Sequence, residues 1–77
     1  MLKRKIGDNV NINPYTNITG IIIDSKEITQ PFNSNYDYIV KFNCLVDMGW
    51  GWQEQEYYKD DELDKLEKNW NIIKGSK

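Results

Sequence analysis

From Glu54 to Leu66 the chain changes its period. Glu54-Gln55-Glu56-Tyr57-Tyr58 reads as the end of an extended run closed by two aromatics. Lys59-Asp60-Asp61-Glu62 is a dense charged turn, and Leu63 and Leu66, three residues apart, reach back from it. Spacing of three belongs to a helix, not a strand. The stretch predicts a strand running into one short helical turn, capped by Asp60 or Asp61, that closes a small barrel. Two continuations remain open. Leu63, Leu66, Trp70 and Ile73 fall at 3-4-3 spacing, as in an amphipathic helix. Against that, Asn69 and Asn71 are poor helix formers and Ile72-Ile73 are β-branched. The second reading is preferred: a turn at about 60–66, then a last strand at about 68–73.

The rest of the chain reads as strands and turns. Val10 and Ile12 alternate with Asn9 and Asn11, the strand period. Asn13-Pro14-Tyr15-Thr16-Asn17 reads as a loop, with Pro14 after an Asn that favours turns. Ile21-Ile22-Ile23 is a short apolar run, either a strand buried on both faces or one carrying a bulge. Residues 24–35 form the longest loop, with Phe32 placed to anchor it. Tyr36, Tyr38, Val40 and Phe42 share one face of the clearest strand. Met48-Gly49-Trp50-Gly51-Trp52 is a hairpin end whose glycines are free to take positive φ. On the return strand Tyr57 is read as inward, because Tyr58 shares its face with Glu54 and Glu56, and carboxylates are costly to bury.

With 77 residues the chain is one domain, 1–77, with its core at about 5–73 and frayed ends at 1–4 and 74–77. A chain this short buries only about 60–65% of its unfolded surface. The expected core is Val10, Ile12, Ile21, Ile23, Tyr38, Val40, Phe42, Tyr57, Leu63 and Leu66.

Composition argues against catalysis. There is no histidine, which removes the commonest general base and metal ligand together. Cys44 is the only cysteine and reads as a small buried hydrophobe. Asp60, Asp61, Glu62 and Asp64 lack the spacing and glycine of a calcium loop. No catalytic residue, metal or cofactor is expected. No run reaches the ~18 apolar residues of a membrane span, and the basic Met1-Leu2-Lys3-Arg4-Lys5 leads into no apolar segment, so a cytoplasmic location is expected. The Asn17-Ile18-Thr19 sequon then has no use.

In order, these elements resemble the small SH3-like barrels related to the KOW module. The resembling stretches are Ile6-Gly7-Asp8-Asn9-Val10-Asn11-Ile12, Thr19-Gly20-Ile21-Ile22-Ile23, Tyr38-Ile39-Val40-Lys41-Phe42 and Tyr57-Tyr58-Lys59-Asp60-Asp61-Glu62-Leu63. Many small bacterial and phage proteins are similar. The resemblance implies an all-β fold, a five-stranded antiparallel SH3-like barrel with one short helical turn near the C-terminus. The long 24–35 loop and the 43–52 hairpin depart from the pattern.

Trp50 and Trp52 are the functional candidates. Either they close the barrel, or they form an exposed aromatic platform bordered by Glu54, Glu56, Asp60 and Asp61. Tryptophan is enriched at interaction hot spots. With a net charge of −2, the acids favour a protein surface over a phosphate backbone. The expectation is a non-enzymatic protein-interaction module binding a protein partner. A phage or mobile-element accessory protein that modulates a host protein is one such role, with anti-CRISPR-type inhibitors as an analogy. The alternative is a KOW-like nucleic-acid-binding module using Lys3, Arg4, Lys5 and Lys41.

Overall fold

A computed structural model describes residues 2–75. Four strands and one helix follow in order: β1 (Asn9–Asn13), β2 (Ile18–Ser25), β3 (Tyr38–Asp47), β4 (Trp52–Tyr58) and α1 (Asp60–Lys74). The strands form an antiparallel meander in the order β1-β2-β3-β4. β1 and β4 are its two edges, so the sheet is open. This corrects the expected closed five-stranded barrel: the fold is α+β, a four-stranded sheet with a 15-residue helix packed against it. Each stretch that resembles a KOW-type barrel through Tyr58 includes strand, but the segment expected as a fifth strand is helix.

The helix wins at its first turn. Forming the first turn is the costly step, and each further residue adds one hydrogen bond. That first turn is unusually well held. Lys59 is the N-cap residue rather than Asp60 or Asp61, and an ammonium has no lone pair with which to cap. Its own N–H is instead accepted by Glu62 Oε1 at 3.0 Å. The Asp60 N–H is accepted by Asp37 Oδ2 at 2.7 Å, reaching across from the start of β3. Three acids in the first turn and Lys74 in the last complement the helix dipole. Against this, Asn69, Asn71 and the β-branched pair cost only a few tenths of a kcal/mol each.

The core consists of Val10, Ile22, Tyr38, Val40, Phe42, Tyr58 and Leu63. Ile12 and Leu66, expected in the core, are half-buried at its margin. Ile21, Ile23 and Tyr57, expected inward, are exposed. In β2 the alternation starts from Gly20 and Ile22 as the inward residues, so Ile21 and Ile23 face out; a bulge then shifts register with β3 between Ile22 and Asp24. Ile23 is the extra residue, and Ser25 returns to the inner side. In β4, Tyr58 pairs with Tyr38 and packs edge-on against Phe42, with ring centroids 6.3 Å apart. Its face carries no buried carboxylate, because the inner side of the sheet opens toward solvent at Glu54 and Glu56; Glu54 is exposed and Glu56 half-buried.

Tyr57 does a different job on the outer face. Phe32 meets its ring edge-on at 5.6 Å and Tyr36 lies at 5.5 Å, so Phe32 does anchor the long loop. Lys26 closes that loop with an ion pair to Asp37 at 2.6 Å. The N-terminal segment, expected to fray over 1–4, is pinned from residue 3 onward: Lys3 and Arg4 pair with the helix. At the other end Lys74 is the last helical residue and Gly75 its cap. Met1, Ser76 and Lys77 lie outside the described residues.

Candidate interaction surface

β3 does not keep both neighbours along its length. Its last partner on β2 is Gly20, opposite Phe42. Register with β4 then jumps between Lys41 and Val46, and the pairs Val46–Gln53 and Asp47–Trp52 form beyond the jump. The β3–β4 hairpin therefore leaves the sheet. Cys44, expected to be buried, sits in this departing segment and is exposed.

The turn at the hairpin tip is closed by hydrogen bonds. Gly49 and Gly51 have φ of 92° and 133°, values that side chains rarely tolerate. The Met48 N–H donates to the Gly51 carbonyl at 3.1 Å, and the Gly49 N–H to Asp47 Oδ1 at 2.9 Å. Between the glycines stands Trp50, 70% exposed; Trp52, opposite Asp47, is 68% exposed. Neither ring closes the core. Leu45, on the same hairpin, is exposed as well.

The four acids expected beside the tryptophans separate. Glu54 and Asp61 are exposed. Glu56 is half-buried, and its Oε1 accepts the N–H of Tyr57 at 2.9 Å. Asp60 is buried and belongs to the scaffold. Its Oδ1 accepts from Arg4 Nη1 at 2.7 Å and from the Tyr38 hydroxyl at 2.9 Å. It cannot face a partner.

The charges behind the site form one network. Lys3 and then Arg4 hold the Asp64 carboxyl below the usual carboxylate range. Burial pushes the Asp37 carboxyl up, but the Asp60 N–H and Lys26 outweigh it, and the net shift is down. Burial pushes the Tyr38 hydroxyl up to about 12. Tyr58 is likewise raised to about 12 by burial, aided by Glu56 and Glu62. Among the described residues no three His, Cys, Asp or Glu side chains come together as metal ligands, and no helix is long and apolar enough to cross a membrane.

Under the hairpin lies a feature that residue-by-residue reading misses: an open groove of about 640 Å³ between the hairpin, the β1–β2 end and α1. Met48 is its one visible sign in the sequence, and nothing in the periodicity says that β3 parts from β2 there. Compared with protein-family models, with curated proteins and with solved structures, the chain finds no match.

Proposed function

We propose that the chain is a non-enzymatic protein-interaction module of the cytoplasm, with the β3–β4 hairpin as its contact surface. Trp50 and Trp52 are the anchors, and Glu54 and Asp61 steer a basic partner toward them. One observation supports this above the rest: two tryptophans, Trp50 on the hydrogen-bonded turn and Trp52 at the start of β4, are each more than two-thirds exposed. Rings so placed stabilise their own fold little, whereas a tryptophan buried at an interface often contributes about 2 kcal/mol or more. An acidic module of this kind suits a phage or mobile-element protein that covers a basic surface on a host protein.

The nucleic-acid reading ranks second on a specific ground. Of its four cations, Lys3 and Arg4 are engaged by Asp64 and Asp60, leaving Lys5 and Lys41 against a net negative chain. Phosphate binding needs unengaged positive charge.

The test is affinity capture from host lysate, then a binding isotherm with the purified partner. Trp50→Ala with Trp52→Ala should weaken that partner about thirtyfold or more at an unchanged melting temperature. Equal binding by the parent and the double variant sinks the proposal. Sub-micromolar affinity for oligonucleotides at ~150 mM salt reverses the ranking of the two readings.

A further inference from the structure

The groove beneath the hairpin is apolar and uncovered. Val46 and Met48 line it from the hairpin, Ile12 and Ile18 from the β1–β2 end, Leu66 from the helix and Tyr58 from the end of β4. Five of these six are half-buried residues packed against the core. The volume lies within the ~300–1,000 Å³ of ordinary ligand sites, but the groove is open to solvent, which suits a length of chain better than an enclosed molecule.

Its charged lining is net acidic and lies at the exposed mouth: Asp47 and Glu62 stand against the single cation Lys65, and all three are exposed. Both carboxylates accept a backbone N–H, and neither has an ion-pair partner among the described residues. The cations Lys3, Arg4 and Lys26 are engaged by Asp64, Asp60 and Asp37 instead.

We infer that this groove receives the apolar side chains of a basic segment of the protein partner. Leucine- or isoleucine-like side chains fill it, and flanking lysines or arginines meet Asp47 and Glu62. The inference rests on the hairpin being a protein-binding surface, and it names the chemistry of what binds. Met48 in the groove wall and Trp50 at the tip are two residues apart, so one bound segment reaches both. A second copy of this chain is the wrong occupant: a two-fold contact here brings the same acidic mouths together, and like charges across an interface are costly. Phosphates and anionic lipid meet the same repulsion.

The test uses the full chain and two short synthetic peptides, one with two leucines among lysines, the other with glutamates in place of the lysines. Methyl resonances of Ile12, Ile18, Met48 and Leu66 report binding. The lysine peptide should shift all four, and the glutamate peptide should bind at least about fivefold more weakly. Asp47→Asn with Glu62→Gln keeps both oxygen acceptors but removes both charges. That variant should lose about fivefold in affinity for the lysine peptide, and most of its salt dependence. Equal binding of the two peptides, or shifts confined to residues outside the groove, overturns the inference. So does a concentration-dependent dimer that shifts the same methyls without peptide. If the groove stays silent while the double tryptophan variant still loses its captured partner, the hairpin reading stands and this inference falls.

Discussion

The Tyr38 hydroxyl donates to Oδ1 of Asp60 at 2.9 Å, out of water, and its own oxygen accepts the Arg4 N–H at 3.0 Å. One phenol thus joins the middle of the sheet, the first residue of the helix and the N-terminal segment. Tyr38→Phe should cost about 1–3 kcal/mol, because it leaves the Arg4 N–H without its acceptor. Asp60→Ala should cost more, about 3–5 kcal/mol, since the Arg4 guanidinium, only 17% exposed, loses its closest counter-charge. Urea unfolding measures both. If Asp60→Ala unfolds at the parent's midpoint, the network does not hold the helix to the sheet.

The helix should be energetically uneven. Leu63 is buried, Leu66 and Trp70 are half-buried, and Ile73 is exposed, so its apolar stripe leaves the core as it lengthens. Leu63→Ala should cost about 2–5 kcal/mol and Ile73→Ala no more than about 0.5 kcal/mol. Similar losses at the two positions contradict this gradient.

Stability should fall at both pH extremes. Asp37 and Asp64 titrate below their ordinary 3.8 in the folded chain. A carboxylate lowered by folding stabilises the fold above its ordinary value, and that stability is lost as pH falls through the lower folded value. Melting temperature should drop below about pH 4, and less steeply in Asp37→Asn. Tyr38 and Tyr58 are raised to about 12. Their contribution is complete below the unfolded value near 10 and disappears as pH rises through about 12. Tyrosinate absorbance should show a late phase that vanishes in the Tyr38→Phe, Tyr58→Phe double variant.

Much of the strand content was legible because it depends on neighbours in sequence. The alternation of Tyr38, Val40 and Phe42 placed β3 on its correct face, and Thr19-Gly20 marked β2. The bulge at Ile23 was one of two open readings, and local spacing could not choose between them. Tyr57 and Tyr58 were exchanged because the cost of burying Glu54 and Glu56 was charged to a face that is in fact open. The helix was underweighted for a non-local reason: Asp37 caps it from 23 residues away. Among the candidate site residues, type and turn context placed Trp50 and Trp52 on the hairpin, and both are exposed there. Asp60 was misjudged because its partners, Arg4 and Tyr38, are distant in sequence.

Gly20 should resist substitution. A Cβ there overlaps the Val40 Cγ1 methyl and comes within 2.9 Å of the Lys41 carbonyl. The carbonyl belongs to the adjacent strand and cannot rotate away. Gly20→Ala should cost about 1–3 kcal/mol as overpacking, and Gly20→Ala with Val40→Ala should recover none of the part due to the carbonyl. A melting temperature equal to the parent's disproves the close β2–β3 approach.

Trp50 offers the cleanest separation of folding from binding. Its ring is 70% exposed at a turn whose hydrogen bonds involve Met48, Gly49, Gly51 and Asp47 but not the indole. Trp50→Ala should therefore change stability by no more than about 0.5 kcal/mol, whatever it does to a partner. Neutralising the exposed acids should act on rate instead, because rim charges mainly set association speed and its salt dependence. Only the exposed acids qualify: Asp61→Asn should slow association at low salt and leave the melting temperature alone, whereas Asp60→Asn should lower the melting temperature through its buried contacts. If Trp50→Ala unfolds the domain and Trp50→Phe restores it, the ring belongs to the scaffold, and the hairpin is no longer the place to look for a partner.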